Sequence, residues 1–206
     1  MKTVLLPVKD FRQAKQRLAP ALDAVQRAGL ARAMLSDVLR AIAHARRPER
    51  VIVFTASEEV ARVVRPYAFE IIEEAIVRGH SAAVNQMIDE LSAQSSHILS
   101  IAGDLPTVMA QEIDTVFDGA TADISLIASR DGTGTNATLF VSPARIRMEY
   151  GEGSLKRHLS NAVLAGFQAE VLKVPGIEFD IDTADDLRMF MVRGFPESET
   201  WRFLAT

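Results

Sequence analysis

Short apolar runs that alternate with amphipathic stretches restrict the fold of this chain more than any other feature. Seven runs, at 3–7, 51–55, 70–72, 97–102, 124–129, 137–141 and 169–174, read as strands. Several are apolar without interruption, as expected when both faces of a sheet are buried. Between them, apolar residues recur at helical spacing. Within 23–45 these are Leu30, Met34, Leu35, Val38, Leu39 and Ile42. Further helices are predicted over 58–65 with Ser57 as N-cap, 81–91 opened by Ser81, 111–117, 155–165 and 184–192. The last starts with a capping box, Thr183 to Asp186, with Asp in the place of Glu. Strands and helices in this alternation predict an α/β sheet covered on both faces. No repeat, low-complexity tract or long linker interrupts the pattern, so residues 1–206 are expected to form one domain.

Composition then removes whole classes of chemistry. The chain of 206 residues has no cysteine, which excludes disulfides, thiolate metal sites and cysteine nucleophiles. With four histidines, a metal is expected on carboxylates, as a hard cation. A net charge of −4 argues against general nucleic-acid binding, which calls for a basic surface. No stretch reaches the roughly 20 apolar residues of a membrane span. The apolar run at the N-terminus is too short for a secretory signal, and a cytoplasmic protein is the expectation.

Four segments carry candidate chemistry, three of them where a strand ends or a helix opens, the place where open α/β sheets bind ligands. After the first strand, Pro7-Val8-Lys9-Asp10-Phe11-Arg12-Gln13-Ala14-Lys15-Gln16-Arg17-Leu18 sets four cations against one acid. That loop suits a polyphosphate; a solvated basic face accounts for the charges equally well. It has no glycine and is not a Walker A loop. In Gly103-Asp104-Leu105-Pro106 a buried strand runs into a carboxylate, which is either a ligand or a turn residue. Asp180 and Asp182, in Phe179-Asp180-Ile181-Asp182, project to one side of an extended segment. With Asp104 they make three hard ligands for Mg²⁺. The alternative is that Asp182 caps the next helix and Asp180 is solvated. The fourth feature pairs Asp131-Gly132-Thr133-Gly134-Thr135-Asn136 with Gly151-Glu152-Gly153-Ser154. A Gly/Thr loop and a helix start with free N–H groups both favour an anion. A hairpin loop and an ordinary cap are the plainer readings. His158 follows Ser154 by one helical turn, either as a ligand group or as a partner of a backbone carbonyl.

Taken together and in order, these motifs, with Asp180-Ile181-Asp182-Thr183-Ala184-Asp185-Asp186-Leu187, resemble the 2-phospho-L-lactate guanylyltransferase family of coenzyme F420 biosynthesis. The likeness runs from about residue 3 to about residue 190. It implies a three-layer α/β/α Rossmann-like sandwich with a mostly parallel mixed sheet, the nucleotidyltransferase fold of molybdenum-cofactor guanylyltransferase. It also implies roles. Asp104, Asp180 and Asp182 would hold Mg²⁺. Lys9, Lys15 and Arg17 would hold the triphosphate and, with Asp104, act on the reacting phosphates. Pro7 and the turn at Gly79 and Ser81 would complete the GTP site. Thr135, Gly151, Ser154 and His158 would receive a small phosphorylated acid: 2-phospho-L-lactate, phosphoenolpyruvate or 3-phospho-D-glycerate. GMP would pass to the acceptor's phosphate and pyrophosphate would leave.

One turn departs from the family. Where Gly-Leu-Asn is common, this chain has Gly79-His80-Ser81, and a Ser hydroxyl lacks the paired donor and acceptor of an amide. Related enzymes that act on sugar nucleotides or the molybdenum cofactor usually open with a Gly-Gly-x-Gly loop, which Pro7-Val8-Lys9 replaces here. A non-catalytic nucleotide binder is the alternative from another class. The apolar C-terminal residues Met189, Phe190, Met191, Phe195, Trp201 and Phe203 are expected to cover either the core or a second subunit, and a homodimer is the default assembly.

Overall fold

The computed structural model describes residues 1–73 and 79–206. It contains a seven-stranded sheet: β1 (Lys2–Pro7), β2 (Arg50–Thr55), β3 (Glu70–Glu73), β4 (His97–Ile101), β5 (Ile124–Ala128), β6 (Thr135–Val141) and β7 (Ala169–Leu172). The strand order is β3-β2-β1-β4-β6-β5-β7. Only β6 runs against its neighbours, β4 and β5; the other pairings are parallel. The expected fold is the observed one, and every predicted strand is present to within two residues at each end.

Period-two alternation divides the apolar residues between two layers. Val4 and Leu6 of β1, with Val53, Leu99, Ile101 and Leu139, face α1 (Ala24–His44), α2 (Glu58–Val64) and α4 (Ala110–Gly119). Leu5, Ile52, Phe54, Ile98, Leu126 and Phe140 face the opposite layer, α3 (His80–Leu91) and α5 (Ser154–Leu164). With helices on both faces, the strands need no polar side, which is why their sequence is nearly continuous in apolar residues. A third cluster gathers Leu18, Leu30, Met34, Phe179, Ile181 and Phe190. The short α6 (Pro175–Glu178), α7 (Ala184–Arg193) and α8 (Glu199–Leu204) complete the chain. Trp201 and Phe203 pack on that third cluster, so the apolar tail covers this chain's own core.

Two caps differ from expectation. Thr183 does cap α7, and Asp186 closes the box. Ser57 stands at the start of α2 but its side chain makes no cap bond; its own N–H donates to Thr55 Oγ1 at 3.1 Å. Ser81 does not open α3, which begins one residue earlier behind Gly79 at φ 88°. Among the described residues, no helix is long and apolar enough to cross a membrane.

Candidate active site

The sheet's order reverses between β1 and β4, and their carboxyl ends open one cleft, as expected at a switch point. The antiparallel β6 adds something a parallel strand could not, its N-terminal end. Ala102 N–H donates to Asn136 O at 2.8 Å, which sets Thr135 beside the rim that follows β4. Asn136 is buried, and its amide donates to Ile177 O at 2.9 Å and Glu178 O at 3.2 Å. That bond ties β6 to the segment leading into Asp180 and Asp182. The sequence marked Asn136 only as part of a loop motif; its buried amide helps to dock α6, together with Thr107 and Glu112, which bond Gly176.

Lys15 sits at the centre of the charged wall. Its backbone is left-handed, φ 53°, and its side chain is only 4% exposed. The ammonium donates to Asp104 Oδ2 at 2.6 Å and to Asp182 Oδ1 at 2.7 Å. Sequence reasoning put Lys15 on a triphosphate; in the structure it lies between two of the three candidate metal ligands. Burial, the largest single influence, would push the Asp104 carboxyl up, but the charge and the hydrogen bond of Lys15, with a backbone hydrogen bond, together outweigh it and hold it below the usual range. Lys15, in turn, is raised above its ordinary value, because Asp104 and Asp182 overcome its burial. Asp180 is pushed up to about 6 by burial, then by the charges of Asp104 and Asp182. The structure therefore brings all three aspartates together, although among the described residues no group of three or more His, Cys, Asp or Glu closes to metal-holding distance. Arg17 stands at the edge, 4.0 Å from Asp182. Asp182 is not the helix cap: its N–H donates to Asp186 Oδ2 at 3.2 Å.

Two compartments meet at this wall. The first, about 300 Å³, is bounded by Pro7, Val8, Phe11, Leu35, His80 and Tyr150. The second, about 660 Å³, is bounded by Arg17, Thr133, Gly151, Ser154 and Asp180. Lys9, Asp104, Thr135 and Asp182 border both.

At the predicted turn the roles of two neighbours are exchanged. Ser81 Oγ accepts Tyr150 N–H at 3.0 Å and is occupied with holding that residue. His80, which sequence reasoning passed over, lines the first compartment instead. Its ring lies 5.1 Å from that of Tyr150, its Nδ1 is buried without a partner among the described residues, and burial followed by the Lys9 charge depresses its pKa to about 4. Gly79 supplies the positive φ that starts the helix there.

Thr135, Gly151 and Ser154 give the second compartment an uncharged stretch of wall, set among charged groups such as Arg17, Arg130 and Asp180. Ser154 is the first residue of α5, after Gly151 at φ 117° and Gly153 at φ 69°. Its N–H bonds Gly151 O at 3.0 Å and the next N–H, of Leu155, bonds Thr133 O at 3.2 Å. The first two amides expected to be free at this helix start are thus already used. What remains is the Ser154 hydroxyl, which donates to Thr135 Oγ1 at 3.4 Å. His158 is 0% exposed and does not reach the cleft. Nδ1 lies 3.0 Å from Thr135 Oγ1 and Nε2 accepts Glu149 N–H at 2.9 Å. Among the described residues its ring bonds no backbone carbonyl, so neither sequence-based reading of it holds.

A family profile described as "Guanylyl transferase CofC like" matches residues 1–205. The chain is 35% identical over 189 residues to the phosphoenolpyruvate guanylyltransferase of Conexibacter woesei, covering 89% of this chain and 84% of that one. It is 31% identical over 195 residues to the 2-phospho-L-lactate guanylyltransferase of Methanothermobacter thermautotrophicus, covering 94% and 86%. Among solved structures, 4-diphosphocytidyl-2C-methyl-D-erythritol synthase superposes with a TM-score of 0.62 at 11% identity, covering 91% and 96%. CMP:2-keto-3-deoxy-manno-octonic acid synthetase, complexed with CTP, superposes at 0.58 and 12% identity, covering 92% and 96%. The last two speak for the fold alone; the match from residue 1 to residue 205 establishes that this chain belongs to the CofC-like guanylyl transferase family.

Proposed function

We propose that the cleft transfers GMP from GTP to the phosphate of a small phosphorylated carboxylic acid, 2-phospho-L-lactate or phosphoenolpyruvate, as a step of coenzyme F420 biosynthesis. The observation that carries this reading is the shared wall. Lys9, Asp104, Thr135 and Asp182 border both compartments, so a nucleotide in one and an acid in the other meet at the same charged groups. The first compartment has the apolar surfaces of Val8, Phe11 and Leu35 for a base. The second has hydroxyls and glycines suited to an anion, at Thr135, Gly151 and Ser154.

Chemically, an acceptor oxygen forms a bond to the α-phosphorus of GTP and the bond to the β-phosphate oxygen breaks, releasing pyrophosphate. The nucleophile needs little activation, since a phosphate monoester with a second pKa of about 6 is mostly a dianion near neutral pH. The protein's task is to bring two polyanions together and to balance the charge that leaves. Lys9, Lys15 and Arg17 supply positive charge to the triphosphate. Mg²⁺ fits the aspartates: every donor is a hard oxygen, and the Lys15 ammonium already stands as a cation between Asp104 and Asp182. Held by Asp104, Asp180 and Asp182, the ion would neutralise and orient the reacting phosphates. Thr135, Gly151 and Ser154 hold the acid, with Pro7 and His80 beside the nucleotide.

The test is a pyrophosphate-release assay that crosses four nucleoside triphosphates with 2-phospho-L-lactate, phosphoenolpyruvate and 3-phospho-D-glycerate, with Mg²⁺ present or chelated. GTP with one of the first two acids should give turnover. GTP binding without release from any acid would make the protein a nucleotide binder. A homodimer is the proposed assembly; equilibrium sedimentation at the mass of one chain overturns it.

A further inference from the structure

We infer that His158 is a positioning residue for the acceptor: it fixes the hydroxyl of Thr135 as a pure donor aimed into the cleft. This rests on the reading that Thr135 faces the phosphorylated acid. His158 is wholly buried, so its effect on a ligand has to pass through another group. The Glu149 N–H donates to Nε2 at 2.9 Å, and that nitrogen therefore carries no proton. A neutral imidazole has one N–H, which must then be on Nδ1, 3.0 Å from Thr135 Oγ1. Burial, followed by the nearby Arg157 charge, depresses the ring's pKa to about 4 and keeps it in this neutral form at pH 7.

The consequence falls on Thr135. Its oxygen accepts from His158 Nδ1 and, at 3.4 Å, from the Ser154 hydroxyl. A hydroxyl has two acceptor positions and one proton, so both acceptor positions are filled and only the proton is left. Thr135 borders both compartments, and the cleft is where that proton can find a partner. A hydroxyl free to rotate could accept from a ligand as readily as donate to it. This one can only donate, and it suits an oxygen without a proton, as on a carboxylate or a phosphate dianion. The selection is made by a neutral network, with the cost of reorienting the hydroxyl already met before the ligand arrives.

The experiment is a double-mutant cycle read as separate KM values for the acid and for GTP. Thr135→Val should raise the acid's KM about tenfold and leave that of GTP within twofold. His158→Phe keeps a ring and loses both nitrogens; it should do the same in the wild-type background and add less than twofold in Thr135→Val. His158→Asn, with an amide donor on the Nδ1 side, should recover the acid's KM to within threefold of wild type. Independently, nitrogen NMR of ¹⁵N-histidine-labelled wild type, assigned by the signal missing in His158→Asn, should show the proton on Nδ1. If His158→Phe does not fold, the spectrum and His158→Asn in both backgrounds carry the test.

Effects of His158→Phe and Thr135→Val that multiply overturn the inference. So does an equal rise in both KM values, or a proton on Nε2. An unchanged acid KM in Thr135→Val, with the proton still on Nδ1, instead overturns the placement of the acid at Thr135.

Discussion

In the proposed reaction the two walls of the cleft hold their anions in opposite ways. On one side Lys15 lies between Asp104 and Asp182, and three carboxylates crowd one ammonium. On the other, Thr135, Ser154 and His158 form a network with no net charge. In the free protein the charged wall sets its own Lys15 between Asp104 and Asp182, with Lys9 and Arg17 nearby, so its balance changes with whatever ion or phosphate arrives. The neutral wall has no such freedom, since each proton on His158 and Thr135 is assigned by a buried partner. Charge exchange and fixed geometry are thereby kept on separate elements: the loop after β1 and the rims of β4 and α7 for the first, β6 and α5 for the second.

The sharpest way to break this contrast is to remove charge from the first wall. Asp104→Asn should lower turnover by about 10²-fold or more, the scale of losing a main electrostatic stabiliser. Pyrophosphate release measures it, and near-normal activity would end the assignment of Asp104 to the reacting phosphates. The opposite change, Lys15→Met, leaves the carboxylates without their cation. Breaking a fully buried pair costs about 3–5 kcal/mol. Asp104 and Asp182 keep 35% and 41% side-chain exposure, so a loss nearer ~2 kcal/mol is expected here. Thermal melts should show it without divalent ions, and Mg²⁺ should raise the variant's Tm more than that of wild type. An equal rise in both would mean that Lys15 and the cation do not share a place.

The neutral wall is probed by pH. His158 and His80 are both held near 4, well under the ordinary 6.5. Between those values the unfolded chain binds protons that the folded one refuses. Stability therefore falls as pH drops from 6.5 toward 4, and each ring's share of the fall stops there. At pH 5.5 each histidine should account for about 1 kcal/mol relative to pH 7.5. Around His158 the neighbouring groups are Arg157 on its own helix and the ring of Tyr150, 5.5 Å away. Tyr150 is itself pushed up to about 12 by burial and adds no charge in this range. Urea unfolding at the two pH values, wild type against His158→Phe, isolates the share of His158. An identical slope for both would show that its ring is not held neutral.

What could be read from the sequence follows the range over which each interaction acts. Strands were legible because two covered faces leave short, dense apolar runs, up to four in a row at 51–54, a local pattern. The three aspartates were legible as strand-end and alternation signals. Lys15 was recognised as a site residue, but its partners lie 89 and 167 positions away, and no spacing rule reaches that far. At 79–81 one residue decided the outcome. Starting α3 at His80 turns Ser81 toward Tyr150 and leaves His80 in the cleft. The last helix escaped notice for a similar reason. The start of α8 is held by the buried carboxylate of Asp37 on α1, which accepts the N–H groups of Glu199 and Thr200 at 2.8 and 3.0 Å.

The smallest expected effects separate a cap that serves the charged wall from one that serves nothing. Ser57 and Thr183 look alike in sequence, each a hydroxyl before a helix. Thr183 Oγ1 accepts Asp186 N–H at 3.3 Å and donates to Asp186 Oδ2 at 2.7 Å, and the same carboxylate takes the Asp182 N–H. Thr183→Ala should cost about 1 kcal/mol, the usual value of such a cap. Because Asp182 is anchored through Asp186, it should also weaken the Mg²⁺-dependent rise in Tm. Ser57 makes no side-chain cap bond, and Ser57→Ala should stay within about 0.5 kcal/mol of wild type, with the Mg²⁺ response unchanged. Melts of both variants with and without Mg²⁺ decide the matter. If Thr183→Ala lost stability but kept the full response, Asp182 would owe its position to Lys15 rather than to the helix behind it.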